Sequence, residues 1–280
     1  MDADRRPLAL ITNDDGIESP GLLELALAAL DAGLRVLVAA PLEESSGSSA
    51  AVGGSQQEGR IVVSRHDLPG LGTEAFALPA APALITLLAC AGRFGEAPEL
   101  VLSGINRGAN WGSLVAHSGT VGAALTGAGR GRRSLAVSLC SREAVHWETA
   151  RAVAAAVIPS LRRLPPATVL SVNVPDVPPA ELRGLAAGHV ARAGEVQTTM
   201  GERMDGDVRT GALLDAGAAE PGTDMALVAA GYAAVTALRP VGEDAALFQR
   251  LTEAFPPAPD AAAAGAQSLP APPQGAPPGR

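Results

Sequence analysis

Short apolar runs of strand character alternate along this chain with stretches whose apolar residues recur at helical spacing, and that alternation restricts the fold most. LALIT (8–12), RVLVAAP (35–41), ELVLSG (99–104), SLAVSL (134–139) and TVLSVNVP (168–175) are nearly continuous hydrophobic runs. A strand with one wet face alternates apolar and polar residues, whereas runs without alternation suit strands covered on both faces. Between them lie GLLELALAALDAG after Pro20, PALITLLACAGRF (82–94), a segment beginning near Thr120, and HWETARAVAAAVIPSLRRL, all helical in pattern. Pro20 opens the first of these helices and Gly33 stops it. Strands alternating with helices predict an α/β fold, a doubly wound and mostly parallel sheet with helices on both faces. RIVVSR (60–65) and EAFALP (74–79) predict a hairpin excursion from that sheet.

The alternation weakens beyond residue 176. Pro- and Gly-rich segments there separate short strands, notably around MALVAAGYAAVTAL (225–238), before a last helix in EDAALFQRLTEAF. This predicts one domain over 1–255, with a core of about 1–175 and a smaller, hairpin-rich C-terminal appendage over about 176–255. Residues 256–280 are Pro, Ala and Gly without periodicity and are expected to be a disordered tail. Aromatic residues make up only 2% of the chain, so its core must be packed with Ala, Val, Leu and Ile.

Charge narrows the function. The formal net charge is −8 and the sequence contains no lysine. A nucleic-acid polymer is not an expected partner, because it needs a basic stripe to neutralise phosphates. A P-loop is excluded, since its lysine reaches the phosphates. An anionic substrate must therefore be met locally, by a metal, a helix N-terminus or single arginines. The N-terminal apolar run is short for a signal peptide and no stretch suits a membrane span. Cys90 and Cys140 show no CxxC spacing and are expected to be reduced, partly buried thiols of a cytoplasmic protein.

Polar residues appear where three of the apolar strands stop. Asn13, Asp14, Asp15 and Gly16 follow the first, Ser45, Ser46 and Gly47 come after the second, and Asn106 follows ELVLSG. In doubly wound sheets the carboxyl ends of the parallel strands open onto one crevice where ligands bind, so these residues can converge. NDDG alone reads as an Asx turn in which Asn13 or Asp14 caps its own backbone, and the functional reading moves ahead of it only when the strand and the other two loops are joined to it. Two adjacent carboxylates can share an ion only if the chain turns between them, which Gly16 permits. Carboxylate, hydroxyl and amide oxygens suit Mg²⁺, Mn²⁺ or Ca²⁺ rather than zinc. In SGTVGAALTG, Ser118, Gly119 and Thr120 open a helix whose free N–H groups favour an anion. Plain N-capping by Ser118 or Thr120 accounts for the same residues without a ligand. Asn110, in GANWG, can add an amide donor. His117 is the one histidine adjacent to these loops, and it is read as a loop histidine.

NDDGIESPG after the first strand, APLEESSGSS after the second, SGINRGANWG and SGTVGAA together resemble, in this order, the SurE family of nucleotidases. VNVP, PGTD (221–224) and the strand around Tyr232 are similar to that family further on, so the resemblance runs from about residue 8 to 240. It implies a Rossmann-like core with a C-terminal oligomerisation element, and a homodimer or homotetramer. It also implies hydrolysis of phosphate monoesters, typically nucleoside 5′- and 3′-monophosphates, with one divalent cation per subunit, Mg²⁺ or Mn²⁺. Carried over motif by motif, it implies that Asp14, Asp15, Ser46 and Asn106 hold the metal, with Asp14 and Asp15 catalytic. Asn110, Ser118, Gly119 and Thr120 would meet the substrate phosphate. Two alternatives stand beside it. One is a non-catalytic nucleotide or small-ligand binding module on the same fold. The other is a haloacid-dehalogenase-like phosphatase using an aspartyl phosphate, whose motif spaces its two Asp by one residue where these are adjacent.

Overall fold

The structure is a computed structural model, and it describes residues 6–55, 60–192, 197–198, 212–213, 220–240 and 242–255. The expected tail over 256–280 and most of 190–215 lie outside the described residues. Contacts within the chain divide it into two units, Met1–Val241 and Gly242–Arg280.

The first unit is built on a nine-stranded sheet. In chain order its elements are β1 (Leu8–Thr12), α1 (Pro20–Asp31), β2 (Arg35–Pro41), β3 (Ser64–Asp67), β4 (Glu74–Leu78), α2 (Pro82–Cys90), β5 (Leu100–Arg107), α3 (Gly119–Gly129), β6 (Arg133–Leu139), α4 (Trp147–Leu161), β7 (Val169–Val174), β8 (Leu185–Ala187), β9 (Gln197–Thr198), β10 (Ala212–Leu213), α5 (Asp224–Ala229) and β11 (Ala233–Leu238). The sheet runs β3-β4-β2-β1-β5-β6-β7-β11-β8, while β9 and β10 pair as a small antiparallel ribbon. Within the nine-stranded sheet, pairings are parallel from β4 through β7 and at β11–β8, and antiparallel at β3–β4 and β11–β7. Among the described residues of the second unit, Ala245–Ala254 form the helix α6.

The burial explains the hydrophobic runs. Every residue of β1 and of β7 is buried. Ala9 and Ile11 belong to the large core cluster that includes α1 and α4, while Leu10 belongs to a second cluster with α2. Successive strand residues thus feed opposite faces, each covered by helices. Small residues let those helices lie close. A Cβ on Gly21 of α1 would overlap the Ile105 carbonyl, and one on Gly127 of α3 would sit 2.7 Å from the Val101 side chain.

The strand order reverses at β1. From there the chain builds outward through β2 and β4, then returns to add β5 on the other side of β1. The carboxyl ends of β1 and β5 therefore flank the topological switch point, where such sheets form their ligand crevice.

Two local expectations shift. The hairpin exists, but its first strand is Ser64–Asp67 rather than 60–65, paired antiparallel with β4. The first half of MALVAAGYAAVTAL is the helix α5, not a strand. Thr223 caps it by accepting a bond from the Ala226 N–H (3.4 Å), and Gly231 (φ +84°) turns the chain into β11. A six-residue apolar run has no periodicity of its own, so capping and packing decided its state.

Candidate metal centre and phosphate cleft

The NDDG turn is made by Asn13, which frees both aspartates. The buried Asn13 side chain accepts from the Gly16 N–H (3.2 Å) and donates to the Gly16 carbonyl (2.9 Å) and to Ser19 Oγ (2.8 Å). Gly16 takes φ +99°, a conformation that disfavours any side chain. Ser19 in turn caps α1 by accepting from the Leu22 N–H (3.3 Å), so turn and helix start are one hydrogen-bonded unit.

The aspartates then diverge. Asp14 is 4% exposed and leans on the start of α3, where its carboxylate accepts from the Thr120 hydroxyl. Asp15 leans towards the end of β5 and accepts from the Arg107 N–H (3.0 Å). Asn106, beside it, donates to the Gly108 carbonyl (2.8 Å) and accepts from Thr120 Oγ1 (3.4 Å). The pairing of β5 with β6 shifts register between Ser103 and Asn106, and the Gly104–Ile105 peptide bond there is cis. The serine loop is latched to the turn by the Ser45 N–H, which donates to the Asp14 carbonyl (2.7 Å). Ser46 is exposed and its hydroxyl donates to Glu44 (2.6 Å).

Asp14, Ser46, Asn106, Asn110 and Ser118 line one cleft of about 530 Å³. Asp15 joins them through the Arg107 amide, and Thr120 through Asp14. Ser118 Oγ caps α3 by accepting from the Val121 N–H (3.1 Å). Gly119 is required for the fit, since a Cβ there would lie 2.5 Å from Ser48 Oγ and 2.7 Å from Asp14 Oδ2. The buried Asn110 is tied to β7 by its N–H, which donates to Asn173 Oδ1 (2.9 Å), while Asn173 Nδ2 returns a bond to the Asn110 carbonyl (3.1 Å). Its side chain donates to Ser138 Oγ (2.8 Å).

Burial raises both carboxyls above their ordinary range. Desolvation lifts Asp14, against the hydrogen bonds from Thr120 and Gly119. Asp15 is pushed up to about 6 by desolvation and by the charges of Asp14 and Glu44, with the Arg107 N–H pulling it back. Two neighbouring carboxyls that resist ionisation form a site that a divalent cation would relieve. Oxygen donors only, two of them carboxylates, fit a hard cation in character. Among the described residues, no three His, Cys, Asp or Glu side chains gather as a metal group, so the fit depends on hydroxyl and amide oxygens as well.

Several cleft residues were not singled out from sequence. Arg107 and Arg142 line the cleft with Trp111 and Leu114, and supply positive charge. Arg142 stands three residues after the end of β6, so the strand-end rule that selected Asp14 and Asn106 reaches it too when applied to that strand. Asn173 and Ser138 lie inside buried strands, where only the paired partner shows what they do.

A doubly wound α/β chain with paired carboxylates at its switch point, facing the start of a helix, defines a class of ligand-binding α/β proteins. The model of the family described as "Survival protein SurE" matches residues 9–198, and this chain belongs to that family. It is 36% identical over 242 residues to a 5'-nucleotidase SurE of Alkalilimnicola ehrlichii, covering 82% of this chain and 88% of that protein. A 5'-nucleotidase SurE of Pseudomonas putida is 36% identical over 236 residues, covering 82% of this chain and 91% of its own. The crystal structure of the SurE protein from Aquifex aeolicus superposes with a TM-score of 0.73 at 26% identity, covering 89% of this chain and 99% of that one.

Proposed function

We propose that this chain is a divalent-metal-dependent phosphomonoesterase that hydrolyses nucleoside 5′- and 3′-monophosphates to nucleoside and inorganic phosphate. The observation that carries the reading is the pair Asp14 and Asp15 at the switch point, both resisting ionisation, beside a helix start and a cleft of small-ligand size. The names of the relatives support the same activity. Asp14, Asp15, Ser46 and Asn106 would hold one Mg²⁺ or Mn²⁺. When bound, that ion supplies Lewis acidity and neutralises charge at the phosphoryl group.

The chain's own residues do the rest. The Asn110 amide and the N-terminal region of α3 at Ser118, Gly119 and Thr120 orient the phosphate and meet the charge that develops on its oxygens. Arg107 and Arg142 add attraction for the anion at the mouth of the cleft. Water supplies the new P–O bond, the ester P–O bond breaks, and a proton goes to the departing nucleoside oxygen. His117 lines the cleft but has no assigned proton to move.

Purified protein assayed on nucleoside monophosphates with Mg²⁺ or Mn²⁺ should release phosphate, and EDTA should stop it. Turnover that survives chelation would remove the metal from the reading, and no turnover with any divalent ion would leave a binding module. We further place the enzyme in the cytoplasm as a homodimer or homotetramer, which light scattering on a sizing column measures directly. No described helix is long and apolar enough to cross a membrane.

A further inference from the structure

The phosphate end of the cleft is shaped by the segment Gly108–Gly112, which lies between β5 and α3. Two of its residues, Gly108 (φ +118°) and Gly112 (φ +52°), occupy conformations that other residues rarely adopt, so the local sequence alone leaves this loop permissive. Its position comes from outside ties. The Gly108 N–H donates to the Leu139 carbonyl (2.9 Å), and Asn173 holds the backbone of Asn110. The third tie comes from much further along the chain, where Asp224 Oδ2 accepts from the Gly112 N–H (3.2 Å).

Asp224 is 1% exposed, and its carboxylate accepts three backbone N–H bonds. Oδ1 takes those of Ala191 (3.0 Å) and Met225 (2.8 Å), and Oδ2 takes that of Gly112. Capping α5 does not require it, because Thr223 already serves the Ala226 N–H from the capping position. A buried carboxylate is costly unless its oxygens are met by donors, and here one of those donors belongs to the cleft loop. Gly112 stands two residues from Asn110.

We propose that Asp224 is a positioning residue for the phosphate-binding loop, setting phosphate affinity through Gly112 without touching the substrate. This rests on the nucleotidase reading of the cleft. Metal binding at Asp14 and Asp15 is independent of it, because the hydrogen bonds of Asp224 run to Gly112, Ala191 and Met225 and reach neither residue.

Asp224→Asn separates the roles. An amide offers an acceptor on one side only, and two N–H donors on the Oδ1 side hold the oxygen there. The new NH₂ then confronts the Gly112 N–H, so the cleft tie is lost while the ties to Ala191 and Met225 persist. In the Mn²⁺-loaded full chain, Asp224→Asn should weaken binding of inorganic phosphate about tenfold, the scale of one lost charge-assisted hydrogen bond. Its affinity for Mn²⁺ alone should stay within about twofold of wild type, a split that general destabilisation would not give. Amide exchange, read without ligand, should show Gly112 protected in wild type and faster in the variant, with Ala191 still protected. Fast exchange of Gly112 in wild type overturns the proposal whether or not the variant folds, and so does unchanged phosphate affinity in a folded variant. Wild-type protein that binds phosphate but hydrolyses no nucleoside monophosphate sinks the nucleotidase reading and leaves the Asp224 tie to be judged by exchange and phosphate binding. Wild-type protein that binds Mn²⁺ but no phosphate overturns both.

Discussion

Asp14 accepts from the Thr120 hydroxyl at the start of α3, yet burial still lifts its carboxyl above the ordinary range. A site of this kind gives up stability for function. Asp14→Asn should therefore lower turnover by at least ~100-fold, because it removes a ligand of the proposed metal site. The same change should leave the thermal midpoint of the metal-free protein equal or higher, since a buried carboxylate that its hydrogen bonds only partly offset has gone. Retained turnover would remove Asp14 from the site. Asp15 makes a pH prediction. Its ordinary value is 3.8 and burial pushes it up to about 6 in the metal-free fold. An acid raised in this way contributes stability that is fully present below the unfolded value and is lost as pH rises through the folded one. Metal-free protein should accordingly lose stability between about pH 4 and 6, and Asp15→Asn should flatten that slope in thermal unfolding. Binding of Mn²⁺ must displace the Asp15 proton, so its affinity should fall as pH drops below about 6. Titration calorimetry across that range reads it, and a flat affinity would deny Asp15 the role of ligand.

At the scale of elements, α3 both closes the core and faces the cleft, and two neighbouring positions separate these duties. Ser118 caps the helix, so Ser118→Ala should cost about 1 kcal/mol of stability, visible as a drop of a few degrees in thermal midpoint. Gly119→Ala places a methyl group against Ser48 Oγ and Asp14 Oδ2. It should impair turnover and metal binding more than it lowers stability, which a paired assay and melt would check; equal activity would mean the helix can withdraw without cost. The elements also show where reading by pattern stops. β1, β2, β5, β6 and β7 were legible because each is largely buried and built on an apolar run that the few polar residues inside it do not break into an alternating pattern. The MALVAA run was misassigned because six apolar residues fit a buried strand or a buried helix, and the Thr223 cap is worth little until α5 packs on β11. The hairpin was found but placed early, since its first strand alternates half-buried and exposed residues and lacks an apolar signature.

For the molecule as a whole, a cation that binds only the folded chain must stabilise it by mass action. Mn²⁺ at 100 times its dissociation constant should add about 2.7 kcal/mol, a shift of several degrees that disappears in Asp15→Asn. The sequence by itself determined that this chain would form a doubly wound sheet, because apolar periodicity is a local property. It also determined which loops would meet, because parallel strands bring their carboxyl ends to one edge whatever the loop contents. Tertiary structure decided the pairings among those loops. Asp14 turns to Thr120 of α3 and Asp15 to the Arg107 amide of β5, Asn173 grips Asn110, and Asp224 reaches Gly112 across more than a hundred residues of chain. No periodicity encodes such contacts. They exist because folding takes these polar groups out of water, and each buried group must then be met by whichever donor or acceptor the packed strands and helices bring within reach.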